Sequence, residues 1–348
     1  MVLLSGCDPF DATFAPLEPA QLYRVAGAAP APTPSRPLSV MTWNIKFAGA
    51  RIAFFWECEG ERAWMHADEV VEGLTAIAEK IEQAQPDILL LQEVDVDSKR
   101  VAYIDQVQWL LERTHFDYAA YASQWRADYV PTDGLGRIDS GNAILSRWPI
   151  REAQRIALPL IGNQDPLTRY FYLRRNILKT RVRVGQHDLH VLNTHLAALS
   201  DDGTKKEQID VFVDELAQLD ASGAQLIAGG DLNTLPPGAP RRQRFPDRCP
   251  SQPAYAGDGY AGEENWLRPL YDTYTPAIAL ADYQAEPSLY RTFSARADVF
   301  WTRKIDYLFA NTGILPASAL VHQNADRGGM ETLSRSDHAP LSVSLELQ

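Results

Sequence analysis

The residues in this chain that could do chemistry sit where apolar runs stop. Ile88-Leu89-Leu90-Leu91 delivers Gln92-Glu93, a run ending Val191-Leu192 delivers Asn193-Thr194-His195, Gln225 to Ala228 runs into Gly229-Gly230-Asp231-Leu232-Asn233, and Asp337-His338 precedes the last apolar segment. A carboxylate at one strand end, an Asp-x-Asn at another and an Asp-His pair before a third supply hard oxygen ligands together with groups that move protons. Mg²⁺ favours such donors, keeps several waters and takes one or two protein carboxylates alongside substrate phosphate oxygens. No Cys/His spacing suggests structural zinc. Each piece alone has a plainer explanation: a solvated strand end for Glu93, a turn residue for Asn233, a hydrogen-bonded structural histidine for His195, a surface pair for Asp337-His338. It is the set that carries weight.

The elements needed to hold that set are legible from periodicity. Leu38 to Thr42 reads as a strand leading into Trp43-Asn44. Val70, Val71, Leu74, Ile77, Ala78 and Ile81 recur at spacings of three and four, predicting a helix that Pro86 ends. The continuous run 88–91 predicts a strand covered on both faces. A second helix near Tyr103 to Arg113, strands at Tyr118 to Ala122 and Asn142 to Ser146, a hairpin of Asn176 to Val184 with Leu189 to Thr194, and a helix over Glu207 to Leu219 follow. Ile305 to Ala310 and Leu341 to Leu347 are late strands, the last alternating Leu341, Val343, Leu345 with polar residues, so one of its faces is buried. Pro236 to Arg268 has no period and reads as a long surface insertion near the site. Phe54-Phe55-Trp56 reads as core, with base stacking or lipid contact as the functional alternatives.

In order, Thr42-Trp43-Asn44, Leu91-Gln92-Glu93-Val94, Gly141-Asn142-Ala143-Ile144-Leu145-Ser146, Asn193-Thr194-His195-Leu196, Gly230-Asp231-Leu232-Asn233, Lys304-Ile305-Asp306-Tyr307 and Ser336-Asp337-His338-Ala339-Pro340 resemble the motifs of the endonuclease/exonuclease/phosphatase superfamily, deoxyribonuclease-I-like metal-dependent hydrolases. The resemblance covers nearly everything from Leu38 to Leu347. It implies a four-layer α/β/β/α sandwich of two mixed sheets with flanking helices, the site lying at one edge of the sheets. It also implies Mg²⁺ or Mn²⁺ held chiefly by Glu93, with Asn44 nearby and Asp337 contributing. Asp231, helped by Asn233, would activate or orient the attacking water. His338 would contact the phosphate or act as base, Asp306 would fix its tautomer, and His195 would stabilise developing charge or protonate the leaving oxygen. The base is Asp231 or His338, and one metal ion or two take part. Asn142 and Arg175 are candidate substrate contacts. A strand-edge hydrogen bond is the alternative for Asn142. Arg174, Arg175, Arg241, Arg242, Arg244 and Arg248 read either as phosphate binders or as solvated loop arginines.

Composition bounds the reading. With 45% hydrophobic and 22% charged residues the chain can bury a core, and a net charge of -12 argues against general polyanion binding. A metal would reverse the local field at a carboxylate-rich site, so a nuclease is not excluded. The expected organisation is a segment 1–37, with Leu4-Ser5-Gly6-Cys7 resembling the end of a bacterial lipoprotein signal and an Ala/Pro-rich tether behind it, then one catalytic domain, 38–348. That places a monomer in the cell envelope or periplasm through a lipid anchor, the alternative being cytoplasmic. Cys58 and Cys249 then remain as an even pair, either a disulfide or two buried thiols.

The functional expectation is a Mg-dependent hydrolase of phosphodiester bonds, nuclease-like. The alternatives are a phospholipase-C-like enzyme, an inositol or sugar phosphatase acting on phosphomonoesters, and a non-catalytic binding module.

Overall fold

The fold is that of a computed structural model, which describes residues 8–27, 31–34, 37–198, 201–239, 245–247, 249 and 260–348. The lipoprotein-like Leu4 to Cys7 and the arginines Arg241, Arg242, Arg244 and Arg248 lie outside the described residues.

The chain runs through β1 (Leu17–Pro19), β2 (Gln21–Arg24), β3 (Leu38–Asn44), α1 (Ala67–Ala84), β4 (Ile88–Asp95), α2 (Gln106–Leu111), β5 (Tyr118–Val130) and β6 (Gly136–Ser146). It continues with β7 (Ile150–Ala157), α3 (Pro166–Phe171), β8 (Asn176–Val184), β9 (His187–His195), α4 (Thr204–Ala221) and β10 (Gln225–Asp231). It ends with α5 (Arg268–Thr273), β11 (Thr275–Pro276), α6 (Leu280–Ala285), β12 (Asp306–Ala310), β13 (Leu320–Val321) and β14 (Leu341–Leu345). One sheet has the order β1-β7-β8-β9-β10-β12-β11 and the other β13-β14-β3-β4-β6-β5-β2.

Three apolar layers explain why the pattern folds this way. Val40 and Leu90 face Val191 and Ile227 between the sheets, while their neighbours Met41, Trp43, Leu89 and Leu91 point outward onto Val70, Leu74 and Ile77 of α1. That is why 88–91 is apolar without alternation: both faces of β4 are covered. On the far side Leu192, Leu226 and Ala228 pack against Ile209, Phe212 and Leu216 of α4. The four-layer α/β/β/α sandwich follows, and the alternation of β14 is explained by Leu341, Val343 and Leu345 facing the inter-sheet core. None of the described helices is long and apolar enough to cross a membrane.

Each sheet contains one parallel pair, β3 with β4 and β9 with β10. Parallel strands end on the same side, so Asn44 and Gln92 pair at the end of one sheet and His195 and Asp231 at the end of the other. The antiparallel neighbour β12 begins there, Asp306 opposite Asp231.

Two expectations are corrected. The segment read as an Ala/Pro tether is not one throughout: β1 pairs with β7 and β2 with β5, so residues 17–24 close an edge of both sheets. These strands are three and four residues long, too short to show a period. The insertion 236–268 is also held inward at its described points. Phe245 packs with Leu235 and Ile305, Asp247 pairs with Arg303 at 2.7 Å, and Cys249 is disulfide-bonded to Cys58 with Cα atoms 5.4 Å apart. Phe54 is core as expected, but Phe55 and Trp56 are only half-buried.

Candidate active site

The site is built on a break in one ladder. Leu91 pairs with Ala143 and Val94 with Gly141, so Gln92 and Glu93 together oppose Asn142. This is a β-bulge, and Glu93 adopts a positive φ of 54° within it. A bulge re-aims a side chain and leaves backbone groups without ladder partners. Here Asn193 of the opposite sheet donates to the carbonyls of Leu91 and Ala143 at 2.8 and 2.9 Å and accepts from Gln92 Nε2 at 2.7 Å. The Asn of Asn193-Thr194-His195 therefore pins one sheet to the other beneath the site. Gly230 next to Asp231 has φ +125°, and a Cβ there would meet the Thr194 carbonyl at 2.0 Å, so close strand approach demands glycine.

Above this pin the polar side chains converge. Asn44 Nδ2 donates to Glu93 Oε1 at 3.1 Å and to Asp231 Oδ2 at 3.2 Å, bridging a carboxylate from each sheet. His195 Nε2 lies 3.3 Å and His338 Nε2 3.6 Å from the same Asp231 oxygen. His338 Nδ1 sits 2.9 Å from Asp306 Oδ2, and the ring edge packs on Phe293, with centroids 4.8 Å apart. The remaining Asp306 oxygen and His195 Nδ1 are buried without a partner among the described residues.

Burial and neighbouring charge set the protonation states. Burial drives Asp231 above the usual carboxylate range, opposed by His338 and reinforced by Asp306. For His338 burial works against charge, yet the carboxylates of Asp306 and Asp231 outweigh it and hold the imidazole well above its ordinary value. His195 is pushed well below by burial, Arg175 and His338, and is neutral. Two histidines on one carboxylate are thus pushed in opposite directions, His338 toward the charged form and His195 toward the neutral one.

The other expected residues are placed with more specific roles. Asn233 donates its backbone N–H to Asp231 Oδ1 at 3.0 Å, while its side-chain amide turns to the Leu196 carbonyl; it orients Asp231 rather than reaching into the site. Asn44 Oδ1 accepts from the Lys46 backbone N–H, leaving its amide nitrogen toward the two carboxylates. Asp337 is held below the usual carboxylate range: Lys46, His338 and Arg51 overcome the effect of burial. Asn142, opposite the bulge, donates to Asn176 Oδ1 at 3.3 Å and leaves its own Oδ1 buried without a partner among the described residues. Arg175 donates to Gln124 at 3.1 Å and stands in the field of Glu93 and Asp231; burial depresses its guanidinium, and those carboxylates partly restore it.

Several supporting cations were given no role by the sequence reading, Lys304 although it stands in one of the quoted motifs. Lys46 pairs with Glu57 at 2.8 Å, Arg51 donates to the carbonyls of Leu333 and Ser294, and Lys205 bonds both Glu263 and the Asn233 carbonyl at 2.7 Å. Lys304 donates to the Asp306 carbonyl from a fully buried position, which brings its ammonium down to about 7. Lys46 and Lys304 lie within two residues of Asn44 and Asp306, which is the one signal that could have drawn attention to them.

The donor set suits a divalent cation. Asp231, Asp306 and His338 bring ligand atoms within 4.8 Å of one another, but His338 Nδ1 is already committed to Asp306. Glu93 and Asp231 are oxygen donors drawn together by one amide, with a further unpaired oxygen on Asp306 nearby. Hard oxygen donors in excess of the hydrogen bonds that neutralise them fit Mg²⁺ or Mn²⁺.

Comparison with known proteins agrees with this architecture. An endonuclease/exonuclease/phosphatase from Beutenbergia cavernae DSM 12333 superposes with a TM-score of 0.58 at 24% identity, over 90% of this chain and 72% of that one. Truncated Caenorhabditis elegans TDP2 superposes at 0.52 with 16% identity, over 89% and 97%. A mannosyl-6-phosphatase from Bacteroides thetaiotaomicron VPI-5482 gives 0.53 with 16% identity, over 89% and 100%. At these identities the likeness is one of fold. No curated protein matches the sequence. The family profile itself spans residues 41–338, from β3 to His338, and the chain belongs to the Endonuclease/Exonuclease/phosphatase family.

Proposed function

We propose that this chain is a divalent-metal-dependent phosphoesterase that hydrolyses phosphodiester bonds. The observation that carries the reading is the continuous chain of contacts from Glu93 through Asn44 and Asp231 to His195 and to the His338–Asp306 pair, drawn from both sheets. Phosphoryl transfer asks mainly for charge neutralisation and alignment, and these residues divide that work.

Glu93 would hold the cation, with Asp337 contributing, whereas Asn44, expected as a ligand, has its Oδ1 taken by the Lys46 N–H and would orient the Glu93 carboxylate instead; the ion supplies charge neutralisation at the phosphate and lowers the cost of forming hydroxide. Asp231, a carboxylate whose proton affinity is raised by burial, is suited to accept a proton from the attacking water. Cationic His338, oriented by Asp306, donates a hydrogen bond to a non-bridging phosphate oxygen and stabilises the charge that grows there. Neutral His195 donates a hydrogen bond to the leaving oxygen, which takes its proton from solvent, while Asp231 returns to solvent the proton it accepted from the attacking water. Arg175 adds a positive charge on the Glu93 side.

The test is hydrolysis of single- and double-stranded DNA, RNA, phospholipid headgroup esters and sugar phosphates with Mg²⁺ or Mn²⁺ and with chelator. Chelator-sensitive cleavage that Glu93→Gln shifts to higher metal demand is expected. Turnover indifferent to chelator, or unchanged in that variant, would refute the assignment.

A further inference from the structure

Beside Glu93 and His195 opens a cleft of about 690 Å³ whose far wall is apolar. We infer that it receives the hydrophobic body of the substrate, so that the esters this chain cleaves carry a bulky uncharged group, aromatic ring or alkyl chain, next to the phosphate. The inference rests on the phosphoesterase reading above and narrows it to a substrate class.

The cleft wall and the catalytic motifs come from different parts of the chain. Phe55 and Trp56 reach it from the loop after β3, Trp125 from β5, Leu135 from the β5–β6 turn and Phe171 from the end of α3. Most polar groups of this wall are bonded to the protein itself, the Tyr172 hydroxyl and Trp56 Nε1 being the ones left open among the described residues. Trp125 Nε1 donates to the Phe171 carbonyl at 2.7 Å, Thr168 Oγ1 donates to Asp165, and the Arg100 guanidinium is spent on both Asp95 oxygens and Ser140 while stacked 3.8 Å over Phe47. What is left facing the space is chiefly ring and methylene surface. Arg175 and His195 mark the other end, so charge for the phosphate and apolar walls for its substituent lie in one cleft.

The volume suits a single small molecule, since ligand sites run from roughly 300 to 1,000 Å³ and are mostly apolar with a few placed polar groups. Reading a nucleobase edge needs a set of free donors and acceptors, and this wall has turned most of its own inward. Tracking a polymer needs a basic groove, which a net charge of -12 does not favour. At the rim Leu167 is 69% exposed on a helix with no buried residue, an apolar side chain that a bound ester would cover.

The experiment is calorimetric titration of the full chain with Mg²⁺ and with phosphonates whose C–P bond resists hydrolysis: methylphosphonate, 1-naphthylmethylphosphonate and octylphosphonate, with a thymidine pentanucleotide alongside. The naphthyl or octyl compound is expected to bind at least about tenfold more tightly than the methyl one, and whichever gains more tells ring from chain. Trp125→Ala should remove most of that gain, and Leu167→Asp, at an exposed position, part of it without risk to folding. Equal or absent binding of the three phosphonates, or a gain untouched by both variants, would overturn the inference. So would tighter binding of the pentanucleotide that Trp125→Ala abolishes, because bases would then occupy the cleft. Parallel hydrolysis assays separate the two readings: gain without turnover of any ester defeats the phosphoesterase reading, and turnover without gain defeats the cleft alone.

Discussion

The two sheets contribute to the site in different ways. In the sheet of β9, β10 and β12 the ladder is regular to its end, and His195, Asp231 and Asp306 stand directly opposite one another in register. In the sheet of β3, β4 and β6 the ladder breaks at Gln92–Glu93, and the bulge pushes Glu93 out to a bridge of one amide from Asp231. His195, Asp231 and Asp306 are held by ladder geometry, with His338 brought to them from ahead of β14, whereas the carboxylate that faces them from the second sheet depends on a local irregularity and on the Asn193 pin. The first arrangement should tolerate little change in chemistry, the second little change in support.

The largest effect should come from the ladder side. Asp306→Asn leaves His338 with an amide in place of its carboxylate, removing the main charge that sustains the imidazolium. A loss of about 10²–10⁴ in kcat with near-native thermal unfolding is expected. Activity within threefold of the parent would show that His338 needs no partner. His338→Ala should match it without adding to it in the double variant, since the pair acts as a unit; additive losses would separate the two residues.

On the bulge side, Asn193→Ala should lower stability by roughly 2–4 kcal/mol by orphaning the Leu91 and Ala143 carbonyls and Gln92. It should also raise the metal concentration for half-activation, although Asn193 reaches no substrate. Denaturant unfolding and a metal titration check it, and lost stability with unchanged metal demand would mean that the pin does not position Glu93.

Next is the disulfide. Reduction of Cys58–Cys249 frees the insertion from the loop that carries Phe55 and Trp56, and should cost about 2–4 kcal/mol. Thermal unfolding with and without reductant measures this, and equal midpoints would remove the tie from the stability account.

The smallest effect lies away from the site, at buried His322, which bonds Ser342 on β14. Burial lowers its imidazole to about 4, so between that value and its ordinary 6.5 the unfolded chain binds more protons. The stability this neutral histidine contributes is present above about 6.5 and is lost as pH falls toward 4, on the order of 1–3 kcal/mol. Comparing unfolding of the parent and His322→Gln across that window isolates it; parallel profiles would rule it out.

The strand ends were legible because apolar periods stopping at Glu93, His195 and Asp231 are local patterns, and a parallel pair must present its ends together. The length of β5 was less so. Tyr118 to Ala122 reads as a strand, but β5 extends to Val130 because Trp125, Ala127 and Val130 pack in a small separate cluster that no period reveals. The helix expected near Tyr103 shrinks to Gln106–Leu111, since Asp105 caps it by accepting from the Gln108 N–H. Asn233 and Asn44 were recognised as site residues, while the direction in which each amide turns depended on partners in other strands.

The linear chain determined the strand ends and the buried faces of the helices, because burial and alternation act over a few residues at a time, while the layers and the set of converging groups were implied by the resemblance of its motifs. Tertiary structure decided which histidine is charged, that Glu93 is aimed by a bulge opposite Asn142, and that an apolar cleft adjoins the site. Those outcomes arise from charges and surfaces contributed by segments far apart in sequence, and they exist only once both sheets have closed on each other.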